Sequence, residues 1–204
     1  MISTQPGGSG AQNYKADDSL GRGVTIYIID GGFNTDVLVS GSRRDPSGSL
    51  TTTQDLRYSG RQVTTYVVPN DEMLPGVAPE NQGPEDISDV TDHGTRVTCV
   101  AGGRYFGVAS NADLHLIKIK NSCKIKDTES WRVAPANEGA LRVALNEIVS
   151  HVRANSKRGK AVVNLSWGEF SPFWTLIESL TNSQQGMSLA TQTRPCGSKL
   201  YRIS

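Results

Sequence analysis

The sequence predicts an α/β fold built on a doubly wound parallel sheet. Short apolar segments rich in β-branched residues alternate with helical segments, which is the order that places parallel strands in one sheet. The first such segment, residues 24–29, ends abruptly at Asp30, as a buried parallel strand does at the carboxyl edge of a sheet. The chain has 204 residues, of which 36% are hydrophobic, and this is enough apolar material for one core. We therefore expect one ordinary domain rather than a disordered chain.

The predicted strands and helices alternate from residue 24 onwards. Four strands are predicted, at residues 24–29, 62–68, 113–119 and 161–166. A helix is expected to open at Asp92, between the second and third strands. The next helix is the clearest element, because its apolar residues recur at the i, i+3, i+4 spacing of one buried stripe. That stripe consists of Leu141, Ala144, Leu145, Ile148, Val149 and Val152. A further helix is predicted to begin within residues 174–180, and a further strand within residues 186–190.

The remaining segments are polar and set the expected domain limits. Residues 1–22 lack helical or strand periodicity and predict a flexible N-terminal arm. Residues 34–59 and 71–91 are rich in turn-forming residues. The domain is expected to occupy residues 23–185. Residues 186–204 then form a divergent C-terminal tail, and its last dozen residues have no sustained period that would predict an element.

Charge and composition exclude several classes of function. The 21 basic and 20 acidic side chains leave a net charge of +1, so binding to nucleic acid or a membrane surface by bulk attraction is not expected. No apolar run approaches the about 18 residues of a membrane helix, and the N-terminal residues do not resemble a secretory signal. Cys99, Cys123 and Cys196 show no metal-ligand spacing, so neither a disulfide scaffold nor a zinc site is predicted, although one bridge is compatible with their number. We expect no metal and no cofactor; location and oligomeric state are left open.

Asp30 and His93 are the candidate catalytic residues. Both lie where the chain leaves a strand or enters a helix at the carboxyl side of the predicted sheet, where ligand sites of open α/β folds gather. A serine nucleophile needs an imidazole to take its proton and a carboxylate to orient that imidazole. The alternative is that Asp30 only caps a turn and His93 only opens a helix. His115, within a strand, and His151, near a helix end, are interpreted as structural.

Four sequence blocks resemble one enzyme family. Residues 26–33 contain a hydrophobic strand followed by Asp-Gly-Gly, and residues 92–97 read Asp-His-Gly-Thr-Arg-Val. Residues 107–114 read Gly-Val-Ala-Ser-Asn-Ala-Asp-Leu, and residues 162–168 read Val-Val-Asn-Leu-Ser-Trp-Gly. In this order the blocks resemble those of the subtilisin-like serine peptidases, so the domain is expected to be a partial subtilisin-like peptidase domain.

This resemblance implies roles for specific residues. Asp30 would be the orienting carboxylate, and His93 the general base and later the acid. Ser166, Trp167 and Gly168 would form the strand that pairs with a polypeptide substrate in extended conformation. Trp167 stands where the family carries a smaller apolar residue, which favours an altered side-chain pocket, unless it only packs. Gly31 replaces a Ser, Thr or Asp, and Cys99 a Gly or Ser; we interpret Cys99 as a small buried hydrophobe.

The resemblance does not extend to the nucleophile. The family's Gly-Thr-Ser-Met-Ala-x-Pro block and its oxyanion asparagine are not found, and the nearest serine, Ser188, follows Ser166 too closely to leave room for the intervening strands. We therefore expect a sheet incomplete at its C-terminal side, with the strand at residues 162–165 unpaired on one edge, poor solubility and no useful proteolysis. Such a break is what a truncated or misread coding sequence would produce. Two alternatives stay open: an active peptidase that uses Ser188, and a non-catalytic peptide-binding or decoy module.

Overall fold

A central sheet of six strands organises the molecule. The computed structural model describes residues 18–44, 50–58, 60–83, 85–105, 107–126, 128–133, 136–166, 189–193 and 199–203. The strands are β1 (Thr25–Asp30), β2 (Leu38–Arg44), β3 (Leu50–Gln54), β4 (Val63–Val67), β5 (Asp113–Lys118), β6 (Ser122–Lys124), β7 (Trp131–Val133), β8 (Ala161–Leu165), β9 (Leu189–Thr193) and β10 (Lys199–Ile203). The helices are α1 (Asn70–Met73), α2 (His93–Gly102) and α3 (Glu138–Ala154), with a 3₁₀ turn at Pro79–Asn81.

Four of the six strands are parallel, as predicted. The sheet order is β4-β5-β1-β8-β10-β9, and β1 lies in register with both β5 and β8. All six residues of β1 are buried, because a central strand of a parallel sheet is covered on both faces. The doubly wound α/β class is therefore confirmed.

Helices α2 and α3 cover opposite faces of this sheet. Alternate side chains of β1 point to the two faces, so Tyr27 and Ile29 join the core under α3, while Ile26 and Ile28 join the core under α2. Four of the six residues of the apolar stripe predicted for α3 are buried, and Leu145 and Val149 are partly buried. The buried members are Leu141, Ala144, Ile148 and Val152.

The edge of the sheet beside β8 differs from the expectation. The prediction that β8 has one unpaired edge is wrong, because β10 pairs antiparallel with β8 and β9 pairs antiparallel with β10. The amide and carbonyl groups along β8 thus find a backbone partner, so an unpaired β8 edge no longer supports the expected poor solubility, which stays a prediction. The strand expected within residues 186–190 begins at Leu189, but β10 was not predicted.

Two antiparallel strand pairs, β2–β3 and β6–β7, were not predicted from the sequence. Strands β2 and β3 pair antiparallel within residues 34–59, which are rich in turn-forming residues and for which no strand was predicted. Strands β6 and β7 pair antiparallel between β5 and α3. The helix expected within residues 174–180 lies outside the described residues. The domain limits at residues 22 and 185 stay predictions. The described residues 18–23 form turns in which Leu20 accepts a hydrogen bond from the backbone N–H of Asn111, at 2.8 Å.

Candidate active site

The side chains of Asp30 and His93 meet at the carboxyl edge of the sheet. Nδ1 of His93 lies 2.9 Å from Oδ2 and 3.0 Å from Oδ1 of Asp30. The Asp30 carboxylate is 3% exposed, whereas the His93 ring is 52% exposed. The aspartate is thus withdrawn from water while the imidazole it contacts remains accessible to solvent. The structure therefore brings the two predicted catalytic residues together.

Strand β1 and helix α2 supply the two partners. Asp30 shares the sheet face of Ile26 and Ile28, the face that α2 covers, so the alternation of β1 directs its carboxylate toward the helix. Its backbone carbonyl accepts a hydrogen bond from Ile119 at 3.0 Å, which continues the pairing with β5 to the last residue of the strand. His93 is the first residue of α2. The site is consequently built at two element ends, where the backbone is fixed by the sheet and the helix.

Two glycines permit this close approach. A Cβ at Gly94 would overlap the Gly32 carbonyl oxygen and come within 2.9 Å of the Asp30 Cβ. A Cβ at Gly32, whose φ is +149°, would overlap the carbonyl oxygen of Ser88. The glycine that follows His93 is therefore a steric requirement of the contact between α2 and the end of β1.

The start of α2 is capped from outside the helix. The N-cap residue Asp92 has a left-handed backbone, with φ of 57°, and its side chain makes no capping hydrogen bond. Instead Oδ2 of Asp89 accepts hydrogen bonds from the backbone N–H of Thr95 at 2.9 Å and from its hydroxyl at 2.5 Å. An anionic acceptor there satisfies a free helix N–H and suits the positive end of the helix dipole. Asp89 was missed by the sequence analysis, which predicted only where the helix opens.

A buried lysine lies next to Asp30 in the sheet. Lys118 is the register partner of Asp30 between β5 and β1, and its side chain is 1% exposed. Its Nζ donates a hydrogen bond to the Ser88 carbonyl at 3.0 Å and lies 3.8 Å from Oδ1 of Asp86. Burial lowers the pKa of this ammonium group, and the nearby Asp86 and Asp89 carboxylates oppose that shift. Sequence reasoning missed Lys118 too, although a lysine inside a buried strand is a signal for a paired charge.

Only one of the three predicted substrate-binding residues lies in the described chain. Ser166 directly follows β8, whose Leu165 pairs with Ile29, so it lies at the same sheet edge as Asp30. Its hydroxyl accepts a hydrogen bond from Nδ2 of Asn164 at 2.9 Å. Trp167 and Gly168 lie outside the described residues, as does Ser188. The substrate-binding role of this segment stays a prediction.

Gly31 and Cys99, two positions at which the chain differs from the family pattern, have different surroundings. The backbone N–H of Gly31 donates a 2.6 Å hydrogen bond to Oδ1 of Asp30, so this position contributes a donor through its main chain. Cys99 is a free, partly buried cysteine. Burial and the neighbouring Asp55 raise the pKa of its thiol to about 12, so the thiolate that would act as a nucleophile is not formed at neutral pH.

The described ranges contain neither a candidate metal site nor a candidate membrane span. Among these residues, no three His, Cys, Asp or Glu side chains are placed to hold a metal ion together. Within the same part of the chain, no helix is both long enough and apolar enough to cross a bilayer. The expectations that the chain uses no metal and no cofactor stay predictions.

Comparison with known proteins decides the family. The sequence model described as "Subtilase family" matches residues 21–198, which is most of the 204-residue chain. The chain belongs to the subtilase family. The resemblance inferred from the four blocks is therefore confirmed, and the parallel β4-β5-β1-β8 arrangement is consistent with the subtilisin-type fold. This membership assigns the subtilase chain to a family of hydrolases, the subtilisin-like serine proteases, whose substrates are polypeptides.

Several fungal proteases are similar to this subtilase chain. A subtilisin-like protease of Coccidioides posadasii is 28% identical over 163 residues, covering 78% of this chain and 29% of the relative. Alkaline protease 1 of Aspergillus clavatus is 26% identical over 166 residues, covering 79% of this chain and 29% of the relative. Subtilisin-like protease 4 of Trichophyton equinum is 26% identical over 160 residues, covering 78% and 30%. The chain thus spans less than a third of the length of these curated relatives.

Proposed function

We propose that this subtilase chain carries the acid–base pair of a subtilisin-like serine endopeptidase, with Asp30 as the orienting carboxylate and His93 as the general base. The single observation that supports the proposal is the contact of the buried Asp30 carboxylate with Nδ1 of the half-exposed His93 ring, at 2.9 Å. The substrate class is an extended polypeptide, which the segment Ser166, Trp167 and Gly168 would bind by adding a strand.

The geometry of the pair fits proton transfer to and from a hydroxyl. When Nδ1–H donates to Asp30, the neutral imidazole carries its free lone pair on Nε2, on the other side of the ring. That lone pair accepts the hydroxyl proton as the nucleophile attacks a carbonyl, and the same nitrogen later returns the proton to the leaving amine. The buried carboxylate stabilises the imidazolium that exists between the two steps. Its burial strengthens this effect, since few water dipoles screen the interaction.

We further propose that the 204 residues by themselves do not hydrolyse peptides. Within the described residues, the side-chain hydrogen bonds of the His93 ring run from Nδ1 to Asp30, and Ser188 lies outside these residues. The sequence holds neither the family's serine block nor its oxyanion asparagine. In subtilisin, loss of the serine alone lowers kcat by about 2 × 10⁶. With the oxyanion side chain also absent, no measurable turnover is expected.

The first experiment tests the nucleophile. The purified 204-residue chain is treated with a fluorophosphonate probe for activated serines, and modified peptides are identified by mass spectrometry, beside the His93→Ala variant. A thermal melt confirms that both proteins are folded. We expect no modification in either. Modification at Ser188 that disappears in His93→Ala would show an active peptidase. A separate peptide-binding measurement on the same two proteins would favour a non-catalytic binding module if binding survives in His93→Ala.

The second experiment tests the pair itself. Ring ¹⁵N chemical shifts distinguish the two neutral tautomers of histidine, and we expect the Nδ1–H tautomer for His93 at pH 8. In Asp30→Asn the amide can donate to Nδ1, so the Nε2–H tautomer is expected instead. Asp36→Asn is the matched control, because Asp36 is an exposed carboxylate 3.7 Å from Arg57. An unchanged tautomer in Asp30→Asn, or a change in Asp36→Asn as well, would contradict the proposed role of Asp30.

A further inference from the structure

We propose that Lys118 is a positioning residue for the Asp30–His93 pair, acting through the segment from Asp86 to Asp89. This inference rests on the proposed function of that pair. The Lys118 ammonium group bonds to the loop that caps helix α2 rather than to Asp30 or His93.

The first link joins Lys118 to the loop. Lys118 follows Leu114 and Leu116 on the face of β5 that α2 covers, so its side chain lies in the layer between sheet and helix. Its ammonium group donates to the Ser88 carbonyl and lies near the Asp86 carboxylate. Asp86 in turn accepts hydrogen bonds from the backbone N–H of Ser88, at 2.9 Å, and from its hydroxyl. These bonds hold the loop as a closed turn around the lysine.

The second link joins the loop to the two elements of the site. The Ile87 carbonyl accepts a 2.7 Å hydrogen bond from the backbone N–H of Phe33, and the Ser88 carbonyl packs directly against Gly32. The loop is therefore fixed to the backbone that follows Asp30. One residue later, the Asp89 carboxylate caps α2 at Thr95, in the helix turn that begins with His93. The same short loop thus contacts the chain beyond Asp30 and the helix that carries His93.

The charge of Lys118 explains why this loop is stable despite its acidity. Asp86, Asp89 and Asp92 lie within seven residues of sequence, and their mutual repulsion favours an open loop. The buried Lys118 ammonium group attracts two of these carboxylates, Asp86 and Asp89. Side-chain and backbone hydrogen bonds from Ser88, together with Lys118, lower the pKa of the Asp86 carboxyl. Burying a lysine is costly without such partners. Lys118 thereby fixes the position of the loop, and through Asp89 the position of His93.

The test uses the full 204-residue chain and reads His93 directly. Lys118→Met keeps most of the apolar stem and removes the donor and the charge. Its matched control is Lys157→Met, which breaks the 3.1 Å ion pair between Lys157 and Asp113 at the opposite end of β5. In each protein the ¹⁵N ring shifts of His93 report its tautomer, and a thermal melt reports stability. We expect Lys118→Met to lose the Nδ1–H tautomer as the predominant form, while Lys157→Met retains it whatever its melting temperature.

A second variant keeps the inference testable if Lys118→Met does not fold. Asp89→Ala removes the cap while leaving the lysine in place, and the same loss of the Nδ1–H tautomer is expected. Retention of the parent tautomer in a folded Lys118→Met protein, or in Asp89→Ala when Lys118→Met is unfolded, overturns the inference. If the parent chain itself lacks the Nδ1–H tautomer, the proposed function of the pair fails instead. The two failures are therefore distinguishable.

Discussion

Two histidine sites lie on opposite faces of the same sheet and differ in what surrounds the imidazole. On the α2 side, His93 is half exposed and contacts one buried carboxylate. On the α3 side, the His115 side chain is 4% exposed, its Nδ1 lies 2.7 Å from the Thr64 hydroxyl, and its ring lies 4.2 Å from that of His151. The first arrangement leaves one nitrogen accessible for proton exchange with a ligand; the second encloses the ring among protein groups.

The surroundings of His115 oppose its protonation, whereas His93 contacts the carboxylate of Asp30. Nε2 of His115 is buried and finds no hydrogen-bond partner among the described residues, although it lies 3.4 Å from Oε1 of Glu147. Burial, and then the neighbouring His151, lower the pKa of His115 to about 4. Burial also lowers the pKa of His151, with a further contribution from Lys157. Both histidines lie near a carboxylate, and they differ in exposure and contact geometry: the His93 ring is 52% exposed and hydrogen-bonded to Asp30, whereas the His115 ring is 4% exposed.

The largest expected effect is a loss of stability on acidification through His115. The unfolded chain protonates this histidine near pH 6.5 and the folded chain only near pH 4, so the free energy of unfolding falls as pH drops across that window. Between pH 7 and pH 4, His115 is expected to lower the free energy of unfolding by roughly 3 kcal/mol. Urea denaturation at each pH measures the loss, and His115→Leu is expected to remove most of it.

Other groups around His115 modify this slope. Tyr27 of β1 and Tyr66 of β4 keep raised pKa values, caused first by burial, and stay neutral throughout this range. Burial raises the pKa of Glu147, which adds stability as pH falls and so opposes the histidine contribution. His151 acts in the same direction as His115. If His115→Leu retained the whole slope, the enclosed histidine would not be its source.

The second effect concerns the close approach that the exposed site requires. Gly94→Ala is expected to destabilise the fold by about 2 kcal/mol, because the new methyl group overlaps backbone at Gly32 and crowds Asp30. It should also displace His93 from Asp30, which the ¹⁵N ring shifts would report. Gly139→Ala in α3 is the matched control, since its nearest neighbours are the Asn137 and Glu72 side chains, at 3.1 and 3.2 Å. Equal stability of the two variants would contradict the steric argument.

A smaller effect is expected at the hydroxyl of Tyr27. This hydroxyl lies 2.9 Å from Nδ1 of His151, and Tyr27→Phe removes it without opening a cavity. We expect a loss of about 1 kcal/mol in the free energy of unfolding, measured by urea denaturation. Tyr66→Phe, at a partly exposed ring of the same face, serves as the control and should change stability less. A loss of equal size in the control would remove the special role of the Tyr27–His151 contact.

The sequence allowed prediction of the elements that carry strong local patterns. Strands β1, β5 and β8 are short segments rich in apolar residues, and α3 has one apolar stripe, so each was predictable from a short window. Strands β6 and β7 have three residues each, which is too short for any period to be visible. The pairing of β10 with β8 joins residues far apart in sequence, and nothing in the polar tail indicates it.

The candidate site was predictable only in part, for a similar reason. Asp30 and His93 lie at element ends and within family blocks, so position and resemblance indicated both. The roles of Asp89 and Lys118 depend on how a turn-rich loop folds back over the sheet, which no local pattern encodes. A lysine within the apolar run of β5 was nevertheless a usable signal, because a buried charge requires partners nearby.

The smallest expected effect distinguishes the adjacent glycines at the exposed site. The backbone of Gly31 does not lie in the left-handed region, and a Cβ added there would have the Lys120 Cβ as its nearest neighbour, 3.7 Å away. Gly31→Ser should therefore fit and raise the free energy of unfolding by about 0.5 kcal/mol, because it restricts the unfolded chain. Gly32→Ala should destabilise instead, since φ is +149° and the Ser88 carbonyl occupies the space. Opposite signs in thermal melts would show that close packing restricts the second glycine but not the first, and equal signs would contradict it. In that case, steric crowding does not explain why this chain has glycine at position 31 where the family has Ser, Thr or Asp. A serine there would also keep the backbone N–H that donates to Asp30.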